Sequence, residues 1–336
     1  LILTGFAGSP GIQSAAPYTL KWTAALAGAP FSDIAVSSGV VFAGSEGKVF
    51  QAFDGATGRN KWQFPVGQGV ESAPAVSGGV VLFGSDDGKL YAADVETGKE
   101  KWRFAINDEI QSGAVISDGL VLFGADDGNV YALQLETGEL SWKASLGGRI
   151  SAPGVVADGV FYVGTRRSVA AMDIASGEVR WQFATRGAVD CTPLVHQGVL
   201  YFGSDDQVFR AVDIATQTLK WSVTANGDIS SSPALEGDVV FFGSNDRKVR
   251  AVSVADGQVK WAFATGNWIV SRPLVLRGTV YVTAHDGHLY ALEADTGREK
   301  WRYKVGGEIW ASPVLDGETL YFSSKDKKVF ALTVEP

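Results

Sequence analysis

Cysteine, methionine and histidine are nearly absent from this chain. Its 336 residues include one cysteine, Cys191, one methionine and three histidines, His196, His285 and His288. A lone thiol excludes an intrachain disulfide, and with it the small scaffolds that cystines hold together. Cys191 is expected on an inner strand as a small core residue. So few histidines and thiols leave no constellation of base, acid and nucleophile, and no catalytic residue is assigned. His285 and His288 flank a turn, "AHDGHL", and with Asp286 approach a metal-ligand set; the spacing suits solvated turn residues better, so no metal site is assigned. The recurring "DDG" turns lack the alternating acidic spacing and distant glutamate of a calcium loop. Long apolar runs are missing too, and none approaches the length of a membrane-spanning helix. Positive charge is in deficit, with 29 Lys and Arg against 37 Asp and Glu. The net charge of −8 disfavours the phosphate backbone of nucleic acid as a partner. No segment sustains a 3.6-residue apolar period, so almost no helix is expected.

Tryptophan and glycine, by contrast, recur on a schedule. Tryptophans stand at 22, 62, 102, 142, 181, 221, 261 and 301, a spacing of 40 or 39 residues. Tails such as "AADVETGKEKW" and "AMDIASGEVRW" precede them, with a glycine four residues before the indole in six of seven copies and Gln217 in the remaining one. Within a copy the runs "SAPAVS", "VVLFGS", "KLYAADV" and "EKWRFAI" alternate with the turn signals "GG", "DDG" and "ETG". Four β-strands per copy follow from that punctuation. A period of this length made of four strands is one blade of a propeller. The chain starts with a lone fourth strand, "YTLKW", and its last copy stops after a third strand. The sequence therefore predicts an all-β, eight-bladed propeller over residues 18–336, closed by the N-terminal strand completing the last blade, with residues 1–17 as a leader outside it. Each repeated tryptophan is expected to dock on the turn of a neighbouring blade.

Function is sought where the copies differ. Loops between second and third strands should share a face with the segments joining blades. Those loops are acidic in most copies, carrying Glu46, Asp86, Asp87, Asp126, Asp127, Asp205, Asp206, Asp246 and Asp286. The fourth copy instead reads "GTRRSV", one residue shorter, with Arg166 and Arg167. Flanking segments add Arg149, Arg186 and Asp190, so four arginines and an aspartate form a candidate partner-binding sector. A second irregularity is Trp268 and Trp310, tryptophans outside the repeat register, with Arg272 and Glu308 nearby. They mark a candidate ligand or second partner site at the channel mouth.

The A-x-D-x-x-T-G-x-x-x-W tail resembles the tryptophan-docking motif of the quinoprotein (PQQ-type) repeat family over residues 18–336. That family includes quinone-dependent dehydrogenases, sensor domains of receptor kinases, and the BamB lipoproteins of the outer-membrane barrel-assembly machine. The dehydrogenases imply long insertions around a quinone and calcium and a disulfide of adjacent cysteines; here every copy is about 40 residues long and Cys191 stands alone. No cofactor is therefore expected. The BamB branch implies a partner site built from an arginine before an S-A-P element and aspartates of a D-V-D-T-T-P element. This sequence offers Arg149 before Ser151-Ala152-Pro153, and Ala188-Val189-Asp190-Cys191-Thr192-Pro193. Ala188 replaces the first aspartate, Arg149 is one residue nearer the serine, and the branch's longer insertion is missing. The expectation is a non-enzymatic, BamB-like protein-binding scaffold of the bacterial periplasm or outer membrane, monomeric in isolation, with an envelope protein as partner. The alternative is a ligand-sensing propeller of a receptor kinase. Leu3-Thr4-Gly5 resembles the end of a lipoprotein signal, with Phe6 where the acylated cysteine would stand.

Overall fold

The computed structural model describes residues 17–334, so the leader expected over 1–17, Phe6 included, lies outside the described residues but for Pro17. Thirty-two strands form eight antiparallel four-stranded sheets, and no helix occurs among the described residues. In the second blade the strands are Ala75–Ser77, Val80–Ser85, Lys89–Asp94 and Glu100–Ala105. Val80–Ser85 is buried along its whole length, because its two faces meet the two neighbouring blades. A strand covered on both faces reads as a continuous apolar run. The outer strand has one solvated face and alternates, its Trp102 buried between exposed Lys101 and Arg103.

One expected strand is shorter than its sequence suggested. Of "SAPAVS" just Ala75–Ser77 pairs, and Ser72 to Pro74 form an approach to the strand. Pro74 has no N–H to give a ladder. The Ser72 hydroxyl replaces that ladder, accepting from Gly84 N–H at 2.6 Å and donating to Gly84 C=O at 3.0 Å. Cys191 occupies the same place in the fifth copy, just before the inner strand Leu194–His196 and not on it as expected. Its thiol is buried, donates to Gly203 C=O at 3.4 Å, and is pushed up to about 12 by that burial.

Blades adhere through apolar clusters, each shared by two neighbours. Phe50 of the first blade stacks on Phe83 of the second at 3.9 Å, and Phe209 on Phe242 at 4.0 Å. At the rim the docking expected of the tryptophans is present. Trp62 donates its indole N–H to Val95 C=O at 2.9 Å and lies under Gly98, where an added Cβ would come within 2.5 Å of the ring. Trp22, Trp102, Trp142, Trp221 and Trp261 repeat the bond at 2.7 to 2.9 Å. Trp181, by the register of the repeat, faces the turn of Gln217, which keeps a φ of 58° despite its side chain. There the indole bond is missing among the described residues, because a Cβ now stands where six sister turns admit the ring.

Closure follows the expected plan. Strand Tyr18–Ala25 pairs with Lys328–Val334, running from Tyr18 opposite Val334 to Ala25 opposite Lys328. That sheet continues through Thr319–Ser324 to Val314–Asp316. Trp301 packs on Tyr18 with ring centroids 4.7 Å apart, so the closing strand also supplies the last docking contact.

Two outcomes test this architecture. Deleting residues 18–22 removes the outer strand of the eighth blade and bares a sheet edge; the cooperative thermal transition of the parent is expected to disappear, and an unchanged transition would refute closure. Gln217→Gly admits the Trp181 ring and relieves the positive φ. It should raise stability by about 1 kcal/mol, read as a rise of about 2 °C in Tm by calorimetry.

Candidate functional site

The loops between second and third strands and the inter-blade segments meet on one face. Val66 N–H donates to Lys48 C=O at 3.0 Å, Val70 N–H to Ser45 C=O at 3.1 Å, and Val189 N–H to Thr165 C=O at 2.9 Å. At six of the eight junctions the inter-blade segment drives one aliphatic side chain into the gap beside a glycine at the end of a second strand. Ile110, for example, lies so close to Gly84 that a Cβ there would meet it at 2.5 Å. The residue after that aliphatic turns to the channel: Glu71, Gln111, Ser151, Asp190, Val270 and Trp310 all line one central funnel.

The paired aspartates of the sister loops divide into two roles. The second of each pair staples its loop. Asp87 accepts from Gly67 N–H at 2.9 Å and from Tyr91 OH at 2.7 Å, and Asp286 from Gly266 N–H and Tyr290 OH, both at 2.6 Å. Asp206 takes Arg186 N–H at 3.0 Å and the Arg210 guanidinium at 2.5 Å; those bonds outweigh its burial and hold its carboxyl down at about 2. The first of each pair lies toward the funnel: Asp86 accepts from Gln111 and Asp126 pairs with Arg149, both funnel-lining, and in other copies Arg166, Asn245 and His285 line it themselves. Around the ring that position is Glu46, Asp86, Asp126, Arg166, Asp205, Asn245, His285 and Lys325.

In the fourth copy the staple has gone as a unit. Arg167 replaces the second aspartate, and Ala170 stands at the strand position that Tyr91 holds in the second blade. The shortened loop is closed instead by Thr165, whose N–H donates to Ser168 C=O at 2.8 Å. The Arg166 and Arg167 side chains are consequently exposed and make no hydrogen bond or ion pair among the described residues, while the Arg167 backbone C=O still accepts from Thr185 N–H at 2.8 Å. Arg166 and Arg149 line the same cavity of about 550 Å³ with Asp190. Arg149 is anchored, its Nε 3.2 Å from Asp126 and its Nη2 donating to Gln111. Asp190 accepts from Ser151 Oγ at 2.6 Å. Arg167 faces an outer groove beside Gln182, and the exposed Arg186 lines neither cavity. The structure thus brings Arg149, Arg166 and Asp190 together, with Arg167 and Arg186 flanking them.

The aromatic irregularity is a second wall of the funnel. Trp268 is 49% exposed at the rim. Trp310 donates to Glu308 at 3.0 Å, stacks on His285 at 4.3 Å, and meets Phe31 edge-on at 5.7 Å. Arg272 is exposed on the same cavity, of about 390 Å³. His285 corrects the reading of a solvated turn residue: it is 5% exposed, and burial lowers its pKa, favouring the neutral ring. Its aromatic neighbours hold it inward, while His288 pairs with Asp286 at 3.2 Å. No group of three or more His, Cys, Asp or Glu able to hold a metal occurs among the described residues. Sequence reasoning also passed over Lys325, whose ammonium packs on Phe31 and lies 4.7 Å from Trp310. Burial lowers it to about 8, against the pull of Glu46, Glu71 and Glu308. Its signal was available, a lysine where sister copies carry an acid.

Carboxylates crowd the remainder of the mouth. Burial, with Asp190, Asp228 and Asp206 nearby, raises Asp205 to about 6. A raised carboxyl penalises the folded state above that value and not below the unfolded value near 4. Asp205→Asn should therefore stabilise the protein at pH 7 by about 1 kcal/mol after allowance for solvent screening, and the gain should fade as pH falls from 6 to 4. Thermal melts across that range check it.

Comparison with known proteins adds the family. The family described as outer membrane protein assembly factor BamB matches residues 16–149 and 126–335. No curated protein sequence matches. Among solved structures, BamB from Moraxella catarrhalis superposes with a TM-score of 0.81 at 19% identity, covering 94% of this chain and 99% of that one. The computationally designed protein Ika8 gives 0.82 at 19% identity, covering 93% and 99%. A quinohemoprotein alcohol dehydrogenase, ADHIIG from Pseudomonas putida HK5, gives 0.80 at 16% identity, covering 98% and 78%. At such identities the structural likenesses establish the fold alone. The sequence match spans nearly the whole propeller, and the chain belongs to the BamB family of PQQ-type repeat propellers.

Proposed function

We propose that this protein is a non-enzymatic scaffold of the bacterial envelope that presents its loop face to a protein of outer-membrane β-barrel assembly. The observation that carries the reading is the replacement of the aspartate staple by two arginines at "GTRRSV", whose side chains take no part in holding the loop. Arg149 and Arg166 offer planar donors to carboxylates or exposed carbonyls, and Asp190 accepts from the partner or orients an arginine. Arg167 and Arg186 extend the positive sector outward. Acid groups on most of the other loops discourage anionic surfaces from docking elsewhere on the face. A periplasmic or outer-membrane location, lipid-anchored in the native form, accords with this family and with Leu3-Thr4-Gly5.

The quinohemoprotein neighbour shares the fold, but the residues here do not fit a quinone site of that kind. Cys191 is buried against Gly203 with no adjacent thiol, and the deepest carboxylate on the channel, Asp33, is taken up by Ser312 N–H at 2.6 Å. Both observations support the non-enzymatic reading.

The test is capture of envelope proteins by three forms: the parent, an Arg166→Asp, Arg167→Asp double variant, and a control with Glu46→Lys and Asp108→Lys, Asp108 being an exposed residue of the inter-blade segment before Ile110. Stability of the double variant should change by less than about 1 kcal/mol, since both side chains are exposed. Capture of a barrel-assembly component should fall by tenfold or more in the double variant alone, as expected from about 2 to 5 kcal/mol per desolvated charge pair. Equal capture by parent and double variant would remove the arginine sector from the proposal.

A further inference from the structure

We propose that the channel mouth receives the guanidinium of an arginine side chain carried on a polypeptide, with Glu71 as its principal acceptor. The polypeptide source rests on the scaffold reading; the site uses residues outside the arginine sector. The cavity of about 390 Å³ carries three carboxylates, Asp33, Glu71 and Asp190, against one cation, Arg272. Asp33 is satisfied by Ser312 N–H and Asp190 by Ser151 Oγ. Glu71 is half-buried and has neither hydrogen bond nor ion pair among the described residues. Burial, with Asp86, Glu46 and Glu109 close by, disfavours its charge, and an incoming cation relieves that penalty.

Buried polar atoms without partners recur on the cavity wall. Ser32 and His285 are 9% and 5% exposed, and neither Ser32 Oγ nor His285 Nε2 has a partner. Asn245 Oδ1, on that wall too, is also unpartnered. A polar ligand head satisfies such atoms, and a donating one suits Asn245 Oδ1, which only accepts, and Ser32 Oγ, which can accept as well as donate. Of the cations near the mouth, Arg149 is held by Asp126 and Gln111, Lys325 lies on Phe31 and Trp310, and Arg166 and Arg272 are exposed; none of them makes an ion pair with Glu71 among the described residues. A guanidinium suits the cavity better than an ammonium. Its planar head carries five donors that span separated acceptors, and its aliphatic stem packs on aromatic surface such as Phe31 and Trp268.

Calorimetric titration of the whole protein with a capped Gly-Arg-Gly peptide tests this, beside the citrulline peptide, the lysine peptide and free arginine amide. The arginine peptide is expected to bind about tenfold or more tightly than its neutral citrulline counterpart, the difference of one charge-assisted bond. Lysine should be intermediate, and added salt should weaken binding. Glu71→Gln should lose about tenfold in affinity with its thermal midpoint unchanged or raised, and Lys325→Met, which removes a cation acting on Glu71, should tighten binding. The Arg166→Asp, Arg167→Asp variant should still bind the peptide, so failure of the arginine sector and failure of this site are separately readable. Equal binding of arginine and citrulline peptides, unchanged affinity in Glu71→Gln, or no heat up to about 10 mM would overturn the site. Free arginine amide binding as tightly as the peptide would overturn the polypeptide source.

Discussion

The contact between an indole and the bare backbone of a glycine turn fixes the geometry of this molecule. Repeated at the rim, it sets the distance and angle between one outer strand and the next blade, and the stacked aromatics inside inherit that spacing. A single four-stranded blade has two apolar faces and no means of covering either. Only in the ring does Phe50 find Phe83, or Phe209 find Phe242. Because each blade is held by its neighbours, the loops at one end of the strands are spared most of the work of stability.

That relief is unequally distributed within the loops. The second acidic residue of each pair remains bound to backbone and to a tyrosine or arginine, so its chemistry is constrained by the blade. The first residue has no such duty and ranges from glutamate through asparagine and histidine to lysine and arginine around the ring. The inter-blade residues show the same freedom next to a fixed aliphatic. The funnel is thus a surface of free positions carried by constrained ones, with an acidic arc, an arginine sector and an aromatic wall in sequence around it.

The repeat made the fold legible: the tryptophan interval, the glycine turns and the incomplete end copies dictate eight blades and their closure. The shortened inner strands were not legible, since a hydroxyl standing in for a ladder bond at Ser72 leaves no mark in a pattern of apolar residues. The site was visible as deviation from the repeat, which is why "GTRRSV" and the two extra tryptophans stood out. What the sequence hid was direction. Asp86 and Asp87 look alike in a line of text, and only the turn of the chain points one at the channel and the other at Tyr91. His285 was misjudged for the same reason, its solvated appearance coming from a turn motif whose first residue the blade rotates inward among aromatics. Lys325 was overlooked because a lysine in a polar loop is unremarkable until Phe31 is seen beneath it.

The closing strand has a consequence for the order of events in the cell. Tyr18–Ala25 precedes its partner Lys328–Val334 by the length of the whole ring. In a chain that emerges N-terminus first, from a ribosome or an export pore, the strand appears before its mate and waits for it. Throughout that interval Trp22 and an unpaired edge are available to any other chain, including another copy of this one whose ring is still open. Completion of the ring is therefore a race between the arrival of the C-terminal strand and encounters with strangers, and holding Tyr18–Ala25 apart until then is a natural task for a chaperone.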